Sequence, residues 1–152
     1  DKSMKAFKIE FSMRDELLDL YKVLSPFKEV QETLKTLKEK KLKLAILSNG
    51  TPSLLNELVK SNNLENLFDD IFSIEEVGVY KPNSKVYDMP VKKYKIRKDE
   101  IAFLSANTWD VSGGGNYGYQ AIWVNRNNNI FDNLDFKPKL EIKNLSGLLS
   151  EL

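Results

Sequence analysis

The stretch Ile101–Asp110, I-A-F-L-S-A-N-T-W-D, changes character halfway along. Its first four residues are apolar and suit a buried strand, and polar groups follow at once at Ser105, Asn107 and Asp110. Open α/β sheets place their chemistry at the carboxyl ends of strands. Two further stretches share this plan: residues 42–50, L-K-L-A-I-L-S-N-G, and residues 79–82, V-Y-K-P. We read all three as converging on one site.

Working outward, apolar residues at helical spacing alternate with short apolar runs. Residues 1–24 read as a polar lead followed by a helix whose apolar stripe is Leu17, Leu18, Leu20, Tyr21 and Leu24. Ser25-Pro26 reads as an N-cap and first helical position, opening a helix to about Lys41 with Val30, Leu34 and Leu37 on one face. A strand is expected over 42–48, then a turn at Asn49-Gly50, then a helix capped by Thr51-Pro52 that carries Leu54, Leu55 and Leu58. Further strands are expected within 68–74, at 101–104, at 120–124 and at 140–142, and a short helix from about Leu145. A helix is expected near 84–95, with Pro90 breaking or kinking it because proline lacks the N–H the ladder needs. The alternation predicts an α/β fold: a Rossmann-like parallel sheet with helices on both faces.

At 152 residues the chain is long enough for one domain with a real core. Its 23 basic and 22 acidic residues are interspersed and leave a net charge of +1, which gives no footprint for nucleic acid or an anionic membrane surface. There are no cysteines and no histidines. That excludes disulfides, thiolate metal sites and a cysteine nucleophile, along with the usual general base. Catalysis, if present, runs on carboxylates, lysine, hydroxyls and amides. No apolar run approaches a membrane span and the start D-K-S-M-K has no signal-peptide character, so the cytoplasm is the expected location.

Each candidate group also has a plain structural reading. Asn49-Gly50 is a strong turn dipeptide, Asp110 could cap a helix, Tyr87 could be core, and Lys81 could be a surface lysine. The run Gly113–Gly118 formally matches G-x-G-x-x-G. It lies past the strand and has no acidic residue about 20 positions later, as a dinucleotide loop requires. We read these glycines as allowing a helix to approach the sheet closely.

Taken in order, S-N-G at 48–50, V-Y-K-P-N-S-K-V-Y at 79–87 and F-L-S-A-N-T-W-D at 103–110 resemble the L-2-haloacid dehalogenases, members of the haloacid dehalogenase superfamily. The likeness runs from about Leu24 through W-V-N-R at 123–126 and N-N-I-F beyond. The resemblance implies catalytic roles for Lys81, Ser105, Asn107 and Asp110, and substrate contacts for Ser48, Asn49, Tyr87 and Trp109. It implies two-step covalent catalysis: an aspartate displaces halide from C2 of a short L-2-haloacid with inversion, and water hydrolyses the ester to a D-2-hydroxyacid. No metal or other cofactor is implied. Magnesium-dependent phosphatases of the superfamily carry G-D-x-x-x-D where this chain has S-A-N-T-W-D, and Ala106 has no oxygen with which to ligate a hard cation. The implied partner is a small halocarboxylate, with a homodimer as one possible assembly.

The chain departs from the family at its start. The family's nucleophile ends a first strand in a D-x-x-G-T-like segment, and no such segment occurs here. An arginine of the early cap is missing too. We therefore expect residues 1–24 to be the remnant of a helical cap and 25–152 the Rossmann-like core, with the first strand and most of the cap absent from the chain. The expectation is a portion of a longer protein, inactive by itself. The alternatives are a related superfamily hydrolase or phosphatase, and a catalytically dead fragment serving as an interaction module.

Overall fold

A computed structural model describes residues 1–152. Its strands are short and all pair in parallel. β1 (Ala45–Ser48) lies beside β2 (Asp70–Ser73), with Ala45 opposite Asp70 and Ser48 opposite Ser73. β3 (Ala102–Ser105), β4 (Gln120–Val124) and β5 (Leu140–Ile142) form a second parallel group in that order. Helix α4 (Pro52–Ser61) lies in the β1–β2 crossover and α6 (Thr108–Tyr117) in the β3–β4 crossover. Parallel neighbours require such crossovers.

The two strand groups share one interior. Side chains of a strand point alternately to opposite faces, and both faces here are apolar. Ile46 of β1, Leu104 of β3, and Ile122 and Val124 of β4 pack on one face with Leu34 and Leu37 of α3 (Val30–Glu39) and Val59 of α4. On the other face Leu47 and Phe103 meet Tyr87 of α5 (Ser84–Tyr94), and Ala121 and Trp123 meet Val111 of α6. This is the expected sheet with helices on both faces. β4, with a strand on each side and helices above and below, is buried from Ala121 to Val124. β1 and β3 are hydrogen-bonded along one edge only, and no ladder joins them to each other.

Three local expectations need correction. The helix expected from Pro26 begins at Val30, with Glu29 as its N-cap. Tertiary contacts hold the preceding residues out of the helix: the Arg126 guanidinium lies 3.6 Å from the centre of the Phe27 ring and pairs with Glu29 at 2.6 Å. The strand expected from Leu42 starts at Ala45, because Asp69 takes the Leu44 N–H on its carboxylate (2.7 Å) and donates its own N–H to the Leu44 carbonyl. Finally, α5 runs through Pro90 without a break. Met89 and Pro90 are both buried, so packing of that face offsets the one missing hydrogen bond.

The glycine run behaves as expected. A Cβ at Gly114 would stand 2.5 Å from the Phe103 ring, so only glycine lets α6 lie this close to β3. The Thr51 cap is also in place, its hydroxyl accepting from the Leu54 N–H at 3.4 Å. Residues 1–24 form two short helices, α1 (Lys2–Ala6) and α2 (Arg14–Leu20), with single 3₁₀ turns at Phe11–Met13 and Tyr21–Val23. They dock on α4, where Ser61 Oγ donates to the Lys22 carbonyl and the Asn62 amide to that of Leu24, each at 2.9 Å. No helix is long and apolar enough to cross a membrane.

Candidate active site

Each of the first three strands ends in serine: Ser48, Ser73 and Ser105. One carboxylate beyond these ends, that of Asp110, gathers side chains from three parts of the chain. Asn107 is the N-cap of α6, and its carbonyl accepts from the N–H groups of Asp110 and Val111, both at 3.0 Å. Asp110 is therefore inside the first turn and not the cap itself. Its side chain turns back over the end of β3.

Three donors converge on it. Tyr87 donates its hydroxyl to Oδ1 at 2.8 Å, while Lys81 Nζ and Ser105 Oγ each donate to Oδ2 at 3.0 Å. The Lys81 and Asp110 side chains are only 7% and 6% exposed. Two charges taken this far from water persist because each satisfies the other and the spare lone pairs are hydrogen-bonded. The Lys81 ammonium also lies 5.2 Å from the centre of the Phe103 ring. Burial, and after it the Asp110 carboxylate, pushes the Tyr87 phenol far above its ordinary range. Tyr87 is thus a neutral donor at any ordinary pH, and it is wholly buried.

The remaining candidates lie around this network in different ways. Asn49 Oδ1 accepts from the Lys81 main-chain N–H at 3.1 Å, joining the β1 turn to the lysine loop that follows β2. Ser48 Oγ accepts from the Gly50 N–H at 3.0 Å and so shapes its own turn without touching Asp110. Asn107 donates its backbone N–H to Ser105 Oγ at 3.2 Å, and the residue is exposed. Trp109 is 42% exposed and borders two cavities, of 730 and 460 Å³.

Two supporting residues escaped the sequence reading. Ser73 is buried and donates to the Gly50 carbonyl at 2.7 Å, fixing the Asn49 turn. Its position at the end of β2, matching Ser48 and Ser105, was the available signal. Trp123 donates its indole N–H to the Ala106 carbonyl at 3.1 Å and holds the loop between Ser105 and Asn107. Nothing in the local sequence marks that contact, because it spans 17 positions.

Fold and site together define an open parallel α/β domain with a buried lysine–carboxylate pair at the carboxyl ends of its strands. The model of the haloacid dehalogenase-like hydrolases matches residues 2–124, and the chain belongs to that family. It is 37% identical over 136 residues to an (S)-2-haloacid dehalogenase of Pseudomonas sp. (strain YL), covering 90% of this chain and 59% of that protein. The chain therefore spans about three-fifths of that relative's length. Among solved structures, one L-2-haloacid dehalogenase superposes with a TM-score of 0.94 at 30% identity, over 99% of this chain and 67% of its own. The L-2-haloacid dehalogenase of Xanthobacter autotrophicus with chloropropionic acid covalently bound superposes with a TM-score of 0.85 at 25% identity, over 91% of this chain and 65% of its own.

Proposed function

We propose that this chain forms most of the core of a hydrolase that removes halide from short L-2-haloacids. The observation that carries the reading is the buried Lys81–Asp110 pair, held by Tyr87 and Ser105 at the mouth of the gap between β1 and β3. Both strands that border the gap have an unpaired backbone edge. A strand edge with free N–H and C=O groups is a template for another strand. An extended segment lying parallel between β1 and β3 would be that strand, and a carboxylate at its end would arrive beside Lys81.

In this reading that carboxylate is the nucleophile. It attacks C2, the carbon–halogen bond breaks as the ester bond forms, and halide leaves with the bonding pair. Water then adds to the ester carbonyl, releasing the hydroxyacid and restoring the carboxylate. Lys81 offsets the nucleophile's charge, and Asp110 fixes the ammonium with Ser105 and Tyr87 as its supports. Ser48 and Asn49 offer a hydroxyl and an amide to the substrate carboxylate, Asn107 orders the water, and Trp109 walls the pocket. Since Tyr87 is buried against Asp110, its part is support of that carboxylate. Residues 1–24 are read as the base of a cap over residues 25–152. A second copy of the protein is the simplest candidate partner.

A metal-dependent phosphatase is the less fitting reading, on the donor set. Ala106 brings no oxygen ligand from its side chain, and both oxygens of Asp110 already accept hydrogen bonds. The test is halide release from L-2-chloropropionate by the longest natural form of the protein that contains these residues, with and without a chelator. Chelator-insensitive release, abolished by Lys81→Ala and by Asn107→Ala, is expected. Magnesium-dependent phosphate release without halide release overturns the reading.

A further inference from the structure

The 730 Å³ cavity is an open groove between α5 and α6 that meets the Asp110 cluster at Tyr87 and Trp109. Neither Lys81 nor Asp110 lines it. Gly113 contributes to its lining: a Cβ there would come within 2.5 Å of the Tyr87 hydroxyl and 2.8 Å of Pro82 Cβ. A side chain at this position would therefore crowd the groove wall.

One helical turn of α6 presents two polar groups to the groove, Ser112 and Asn116. Ser112 is 7% exposed, and its hydroxyl makes no hydrogen bond within the chain. Every fully enclosed side-chain polar atom of the chain has a partner, so this unpartnered hydroxyl opens on the groove, where a ligand can reach it. The rings of Trp109 and Tyr117 give the groove flat apolar walls, with Pro82 and Leu134 beside them.

The charge at the rim is positive. Lys98 is not a freely waving side chain, since its ammonium sits 3.8 Å from the centre of the Tyr117 ring. Lys85 adds a second cation. The one carboxylate of the lining, Asp88, is already matched by Lys92 at 2.7 Å and by the Tyr117 hydroxyl at 2.5 Å. Flat walls, a free hydroxyl and a held cation together suit a planar organic anion.

We propose that the α5–α6 groove is a second binding site, beside the Lys81–Asp110 cluster, for an aromatic monocarboxylate. The carboxylate is taken by Lys98 and the Ser112 hydroxyl, and the ring by Trp109 and Tyr117. It shares Trp109 with the pocket of the proposed reaction, while Lys98, Ser112 and Asn116 belong to the groove alone, so the two readings fail on different residues.

The test is a titration of the ¹⁵N-labelled protein, in its longest natural form, with benzoate and with neutral benzamide. Saturable shifts at the Ser112, Gly113 and Asn116 amides are expected, with benzamide about tenfold weaker. Lys98→Gln and Ser112→Ala should each weaken benzoate by roughly three- to tenfold, the size of one ordinary hydrogen bond in an open, wetted groove. Lys85→Gln, on an exposed side chain, serves as a second charge variant, and each variant's amide spectrum reports whether it is folded. Shifts that never saturate, equal affinity for benzamide, or shifts confined to Ser48, Asn49 and Asn107 would overturn the proposal.

Discussion

Lys81 and Asp110, 29 positions apart, meet at 3.0 Å with side chains only 7% and 6% exposed, and that burial sets the fragility of the site. Removing one member of a buried pair leaves an uncompensated charge, at a cost of about 3–5 kcal/mol. Lys81→Met should therefore destabilise the protein strongly in chemical denaturation. The double variant Lys81→Met with Asp110→Leu should recover much of that loss. A double variant no more stable than the single would contradict this account of the pair.

Tyr87→Phe keeps the ring and its edge-on packing against Phe103 but removes the donor to Asp110. A hydrogen bond to a charged group contributes about 1.5–3 kcal/mol, and a loss in that range is expected. The same phenol predicts behaviour in base. Its folded value lies above the ordinary 10.0, so its contribution is complete below about pH 10 and is lost as pH rises beyond it. Tyr119, raised by burial, acts in the same direction. The tyrosinate absorbance of Tyr87, read as the difference from Tyr87→Phe, should therefore appear together with unfolding and not before it.

Acid acts through Asp69. Lys38 grips both of its oxygens at 2.9 Å and the Leu44 N–H adds a third bond, holding the carboxyl below its ordinary 3.8. For a lowered value the unfolded chain binds the proton more readily, so the contribution is present above about pH 3.8 and disappears as pH falls through the lower folded value. Asp69→Asn should lose stability at pH 7 and show a flatter decline between pH 5 and 2, measured by thermal melts.

Gly114→Ala tests the close approach of α6 to β3. With Phe103 at 2.5 Å from the new Cβ, overpacking should cost about 1–3 kcal/mol, although alanine is the better helix former. A neutral or stabilising result in a melt would mean that the helix can shift freely.

Trp123→Phe leaves the Ala106 carbonyl without its donor while keeping an aromatic ring against Phe131. Faster amide exchange at Asn107 and Thr108 than elsewhere in α6 is the expected outcome. Unchanged exchange would show that the loop is held without the indole.

How much of this was legible in the sequence depends on the range of the interaction. The polar ends of β1 and β3, the Thr51 cap and the glycines under α6 are local patterns, and the chain alone displays them. The motif order sufficed for the family. The start of α3 at Val30, the late start of β1 and the continuity of α5 through Pro90 were misread. Tertiary packing decided each case: Arg126 on Phe27 and Glu29, Asp69 on Leu44, and the burial of Met89 and Pro90.

The sequence by itself determined the alternation of strands and helices, their two-sided apolar character and the residue types available for chemistry. These follow from periodicity and composition. Only the tertiary structure decided that Asp110 is the hub of the cluster, that Tyr87 faces inward to support it, that Asn107 joins the cluster by its backbone, and that β1 and β3 each keep one unpaired edge. Parallel strands are brought together by crossovers, so such neighbours lie dozens of positions apart and no local pattern records which groups will meet.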